Sequence, residues 1–246
     1  MDYFDVYKKR LNRYGNNFQT RIQNQREKDF ENYLLKTVYR VDFEYKDEVH
    51  PAALERKSQD HTKTIQYLLT RIDLKIPSGT VLTIKNQDGD SQPWMIYWLE
   101  EIQASGYNRY IVVKMTHFIR WKSQDGKTYS SLVYLHGKGD SAVADALKGS
   151  GALYLEDNNK DSIIMPLKTT LEKDDYMVIK VNTDVEGGQS VEQAFRVDGH
   201  DYVSTPGVGF VTIDPVPIRD LTPPPSKEEG DSEGDFFWID FAGGES

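Results

Sequence analysis

The 246-residue chain contains no cysteine, which removes disulfide scaffolds, thiolate nucleophiles and cysteine-bearing zinc sites at once and fits synthesis in a reducing cytoplasm. No apolar run approaches the roughly 20 residues of a membrane-spanning helix. The opening MDYFDVYKKR lacks the apolar centre of a signal peptide, so neither secretion nor membrane insertion is expected. Basic charge is also scarce, with 30 Lys/Arg against 39 Asp/Glu and a net charge of -9. That disfavours general DNA coating, which needs a basic footprint to displace counterions.

What the chain does have is enough apolar sequence to fold. Hydrophobic residues make up 38% and charged residues 28%, and a mean hydropathy of -0.64 leaves room for polar surface and disordered ends. Charge is unevenly placed: residues 1–40 carry nine basic and five acidic side chains, whereas residues 218–246 carry two and eight. Opposed ends permit head-to-tail attraction between copies, and a solvated helix face is the alternative account of the basic start.

Phe4, Tyr7, Leu11 and Tyr14 recur at helical spacing, with Asp2 as a cap and Gly15-Asn16-Asn17 as a stop. A second helix is predicted over about Thr20 to Lys36. Phe18, Ile22, Phe30 and Leu34 give it a thin apolar face, suited to docking on the chain's own β structure or on another subunit. From Thr37 the period changes to two, the pattern of a half-buried strand. Lys46 to Thr64, dense in charge and carrying Pro51, reads as a long loop or short helix. Strand-like runs and tight turns then alternate at about ten-residue spacing, which predicts small barrels or sandwiches. The Ala- and Gly-containing stretch before Gly151 places a division near Ser150.

The expected organisation is therefore mainly β. A helical region spans residues 1–36, a first β domain 37–148 and a second 149–217. Residues 218–246 form a flexible acidic tail. Prolines at 223–225 end regular pairing, and Ser226 to Asp235 is almost wholly polar. Phe236, Phe237, Trp238 and Phe241 follow on this acidic tether. Either they form a last strand in the chain's own core, or they anchor a partner subunit.

The sequence predicts no catalytic, cofactor or metal residues. His50, His61, His117, His136 and His200 never stand at a metal-ligand spacing; His200 between Asp198 and Asp201 is the best candidate, yet it adjoins the turn residue Gly199. Glu100-Glu101 and Asp174-Asp175 are adjacent acids, which on a strand point to opposite faces and form no dyad. No phosphate loop, nucleophile elbow or dinucleotide fingerprint is present. Aromatics form 12% of the chain. Alternation puts Trp94 and Trp98 on one face, read as core, with a sugar-stacking platform as the rival.

The first β segment resembles a known group. Leu68-Leu69-Thr70-Arg71, Ile76-Pro77-Ser78-Gly79-Thr80, Pro93-Trp94-Met95-Ile96-Tyr97, Tyr110 to Thr116, and Ile119-Arg120-Trp121 with Asp125-Gly126-Lys127 resemble, in this order, the head-completion proteins of tailed bacteriophages and prophages of Gram-positive bacteria, also described as head-closure, stopper or head–tail connector proteins. Leu171 to Tyr176, Phe195-Arg196-Val197 and Thr205-Pro206-Gly207-Val208 are similar to the second domain of that group, so the resemblance covers about residues 37 to 215. It implies a non-enzymatic virion protein of the neck, made in the host cytoplasm and lacking a cofactor. Its copies would form a homo-oligomeric ring that touches a portal or adaptor protein on one side and a tail or tail-terminator protein on the other. Packaged DNA would pass without sequence recognition. Phe4, Tyr7, Leu11, Phe236, Phe237, Trp238 and Phe241 are then the candidate partner contacts. The rival function is a carbohydrate-binding tail or baseplate module, and a hydrolase is the outside alternative.

Overall fold

A computed structural model describes residues 3–12, 17–56, 64–86, 89–100, 106–122, 127–136, 161–168, 171–182 and 190–217. Two helices, α1 (Tyr3–Asn12) and α2 (Phe18–Lys36), precede twelve strands. The first six are β1 (Arg40–Tyr45), β2 (Glu48–Arg56), β3 (Ile65–Arg71), β4 (Val81–Lys85), β5 (Ser91–Glu100) and β6 (Tyr107–Lys114). The second six are β7 (His117–Lys122), β8 (Thr128–His136), β9 (Asp161–Pro166), β10 (Tyr176–Asn182), β11 (Ser190–Asp201) and β12 (Val208–Val216). They close into two antiparallel barrels, as the alternating pattern predicts.

Round the first barrel the order is β1-β2-β3-β6-β5-β4, and the second repeats it with every strand number raised by six. The likeness extends to local devices. A register shift falls in β5 between Ile96 and Trp98, and one falls in the equivalent β11 between Val197 and Gly199. The turn before β4 holds Gly79 at φ 79°, and the turn before β10 holds Asp174 at φ 69°. Both turns close with a hydrogen bond over three residues, Thr80 N to Pro77 O and Asp175 N to Glu172 O. These repeated features were not visible as repeated sequence.

Three expectations need correction. The stretch read as a loop from Lys46 holds β2, paired with β1 through a two-residue turn in which Lys46 and Asp47 adopt φ of 52° and 64°, the conformation of a tight hairpin turn. Pro51 is accommodated within that pairing, opposite Asp42. The division between β units does not fall near Ser150, which lies outside the described residues. It falls at Met115-Thr116, because β7 and β8 pair into the second barrel. Finally, Trp94 and Trp98 do not share a face. The register shift inserts an extra residue in β5 and reverses the alternation beyond it. Trp94 therefore fills the first barrel's interior with Phe43 and Leu82, while Trp98 packs partly buried outside it.

The barrels are joined face to face. Met95, Tyr97, Ile111 and Val113 from the first meet Tyr134, Ile164, Val208 and Phe210 from the second. Tyr97 and Phe210 touch edge to face at 5.9 Å between ring centres, a favoured aromatic geometry. The connection is two residues long. Met115 N donates to Pro93 O in the first barrel, and Thr116 N donates to Val133 O in the second, each at 3.0 Å. At one edge of this joint the turn of Gly79 meets that of Gly207, also at φ 79°. A Cβ on Gly79 would land on the Gly207 carbonyl group, and a Cβ on Gly207 would land on that of Ser78. Only glycine allows this backbone approach.

Candidate assembly surfaces

The N-terminal helices use their apolar residues in opposite ways. The start of α2 is capped by Asn17, whose Oδ1 accepts a hydrogen bond from Thr20 N at 2.8 Å, the preferred arrangement at a helix start. Asn17, expected to end the first helix, thus begins the second. Phe30 and Leu34 bury against Ala53 of β2 and Leu69 of β3, and Phe30 stacks on Tyr107 at 5.1 Å. The Tyr33 hydroxyl donates to Glu55; burial, then the Glu55 contact, raise its pKa. Gly106 lets the β5–β6 connection approach α2 so closely that a Cβ there would sit 2.6 Å from that of Arg26. The thin apolar face therefore docks on the chain's own first barrel.

Residues 3–7 of α1 are exposed. Among its described side chains Tyr3 is 83% exposed, Phe4 64% and Tyr7 52%. Leu11 lies in the same helix. The other sequence-predicted contacts, Phe236, Phe237, Trp238 and Phe241, lie outside the described residues.

Phe18, read with the thin apolar face of α2, is 76% exposed and does not share the burial of Phe30 and Leu34, and the exposed apolar residues that the sequence reading missed include Leu35 at 73% and Val38 at 78%. Leu35 could have been found, since adjacent residues on a helix stand about 100° apart and Leu34 already faces the barrel. Val38 lies in the connection between α2 and β1, where neither period applies.

Polar residues singled out in the sequence serve turns and pairs. Asp201 Oδ1 accepts from Val203 N at 2.9 Å and Ser204 N at 3.1 Å. Burial raises its pKa, but hydrogen bonds from Ser204 and Val203 outweigh that and hold it below the ordinary carboxyl value. His200 stacks on Tyr202 at 4.7 Å. Glu100 pairs with Arg109, and Asp175 Oδ2 accepts from Glu172 N at 2.8 Å. Burial raises the pKa of Asp175. Among the described residues no three His, Cys, Asp or Glu side chains gather as a metal site.

Tyrosine hydroxyls pin the connection before the fourth strand of each barrel. Tyr110 accepts from Ile76 N and donates to Leu74 O, both at 3.0 Å. Tyr202 accepts from Leu171 N and donates to Leu171 O, both at 2.7 Å. Burial pushes the Tyr202 phenol up to about 12, with the charges of Glu172 and Asp175 adding to it against the Leu171 hydrogen bond. A phenol whose pKa is raised on folding stabilises the native state below its unfolded value near 10, and that contribution is lost as pH rises towards 12. Tyr202→Phe should cost about 1–2 kcal/mol at neutral pH. Urea melts should show a smaller loss of stability for Tyr202→Phe than for the parent between pH 10 and 12. Equal alkaline slopes would show that Tyr202 does not carry the effect.

No family model and no curated protein matches the chain. Solved structures with partial likeness include MrkH, described as a c-di-GMP-dependent transcription regulatory factor, at 12% identity over 79% of this chain and 83% of that one, TM-score 0.24. The K. pneumonia MrkH–c-di-GMP complex gives 12%, 79%, 85% and 0.24. The Bacillus subtilis inhibitor of motility MotI/DgrA gives 7%, 72%, 85% and 0.25. Likenesses this low carry no argument about what the chain does.

Proposed function

We propose that this chain is a structural protein of the bacteriophage neck, acting in head closure or head–tail connection. Its copies assemble as a ring between portal and tail and help retain packaged DNA. The observation that carries the reading is a firmly joined barrel pair from which a helix with exposed aromatics extends, the form of a building block rather than of a cleft. The resemblance over residues 37 to 215 supports the location. The net charge of -9 supports a channel that DNA crosses without adhering. A sugar-binding reading loses its described platform, because Trp94 and Trp121 fill barrel interiors and Trp98 packs at the joint.

Mass photometry and negative-stain imaging of the full chain, alone and with a portal assembly, test the proposal. A closed ring of one copy number in either arm is expected. A chain that stays monomeric in both, and is missing from purified particles, would sink it.

A further inference from the structure

One face of β3 serves two contacts. Ile65, Tyr67 and Leu69 alternate along the strand and so share its outer side, while Leu68 between them points into the first barrel. Ile65, 1% exposed, is buried in the joint with the second barrel. Leu69, 4% exposed, is buried under α2. Tyr67, midway between them, packs against both groups.

Neighbouring strands hold the Tyr67 side chain in that position. Ile111 stands opposite Tyr67 on one side and opposite Trp98 on the other, and both Ile111 and Trp98 pack in the joint. The Arg109 guanidinium lies 4.8 Å from the centre of the Tyr67 ring, within the range of a cation–π contact, and is itself paired with Glu100. On the α2 side, the Tyr33 hydroxyl donates to Glu55, the residue opposite Tyr67 on β2. The helix as a whole is lightly held, since of its 19 residues only Phe30 and Leu34 are buried.

We infer that the seating of α2 on the first barrel and the closure of the barrel joint are energetically coupled through Tyr67. An aromatic side chain shared by two contacts is fully covered only when both are made. Lifting α2 uncovers part of Tyr67 and frees it to move, and the joint loses one of its walls. Protein interiors are densely packed, so such a gap forfeits attractive contacts on the joint side as well. Linkage makes the effect reciprocal, so that loosening the joint also loosens α2. A partner that takes up α2 would therefore act on the second barrel without touching it. The inference goes beyond the neck reading and does not depend on copies forming a ring.

Amide hydrogen exchange of the full chain, followed by mass spectrometry, tests the coupling. The Met115 and Thr116 amides, hydrogen-bonded into one barrel each, report the joint, and the β10–β11 pair reports the second barrel away from it. Phe30→Ala/Leu34→Ala, which unseats α2, should speed exchange of the link about tenfold and leave β10–β11 at the parent rate. Phe210→Ala, which thins the joint, should in turn speed exchange in residues 30–36 of α2. Both effects should vanish in a Tyr67→Ala background. Should that variant fail to fold, Tyr67→Leu, whose apolar side chain has a shorter reach, takes its place. An unchanged link rate when α2 is unseated, equal acceleration of β10–β11, no response of α2 to Phe210→Ala, or effects that survive the substitution of Tyr67 would overturn the coupling.

Discussion

Replacing either glycine of the barrel joint should destabilise the chain far more than a surface glycine would. Gly79→Ala and Gly207→Ala each place a methyl group on the backbone of the facing turn, and each puts a side chain at φ 79°. Backbone strain of about 1–3 kcal/mol adds to overpacking of about 1–3 kcal/mol, so each variant should lose about 2–6 kcal/mol in urea denaturation. Gly89→Ala separates the two causes. Its φ is 90°, yet nothing lies within 4 Å of the added atom, and it should lose only about 1–2 kcal/mol. The double variant Gly79→Ala/Gly207→Ala should cost clearly less than the sum of its parts, because a turn already displaced no longer resists the second methyl. Additive losses would mean that the two turns do not press on one another.

The second large effect is expected at Trp94. Its indole is 3% exposed within the first barrel, and Trp94→Ala should cost about 3–5 kcal/mol through lost burial and a residual cavity. Trp98→Ala should cost roughly 1–2 kcal/mol, because that ring is only partly buried at the joint. Chemical denaturation of both variants checks the order. Trp94→Ala with near-parent stability would place the ring outside the core and restore the sugar-platform reading.

The parts of the fold legible in sequence were those where local chemistry and tertiary packing agree. Val41 and Phe43 alternate with polar neighbours and are buried, and Ser78-Gly79 and Pro206-Gly207 mark turns that the structure retains. Strand β2 was hidden because charged residues and Pro51 mask the pair Ala52-Ala53, whose small side chains give little apolar signal although both are fully buried. The division between barrels was hidden because its link is two hydrogen-bonded residues with no Gly or Pro to announce it. The face of Trp98 was hidden by the extra residue in β5, which no period of two can anticipate. For the candidate surface, helical spacing located Phe4 and Tyr7, and the same spacing, applied to Leu35 beside the docking residue Leu34, gives its outward turn.

The shortness of the Met115-Thr116 link has a geometric consequence. With both backbone amides tied, one to each barrel, and an apolar face closed over them, a copy has little freedom to bend at its middle. The angle between its two ends is then a property of the polypeptide itself. Any closed assembly built from it would inherit its curvature from inside each copy.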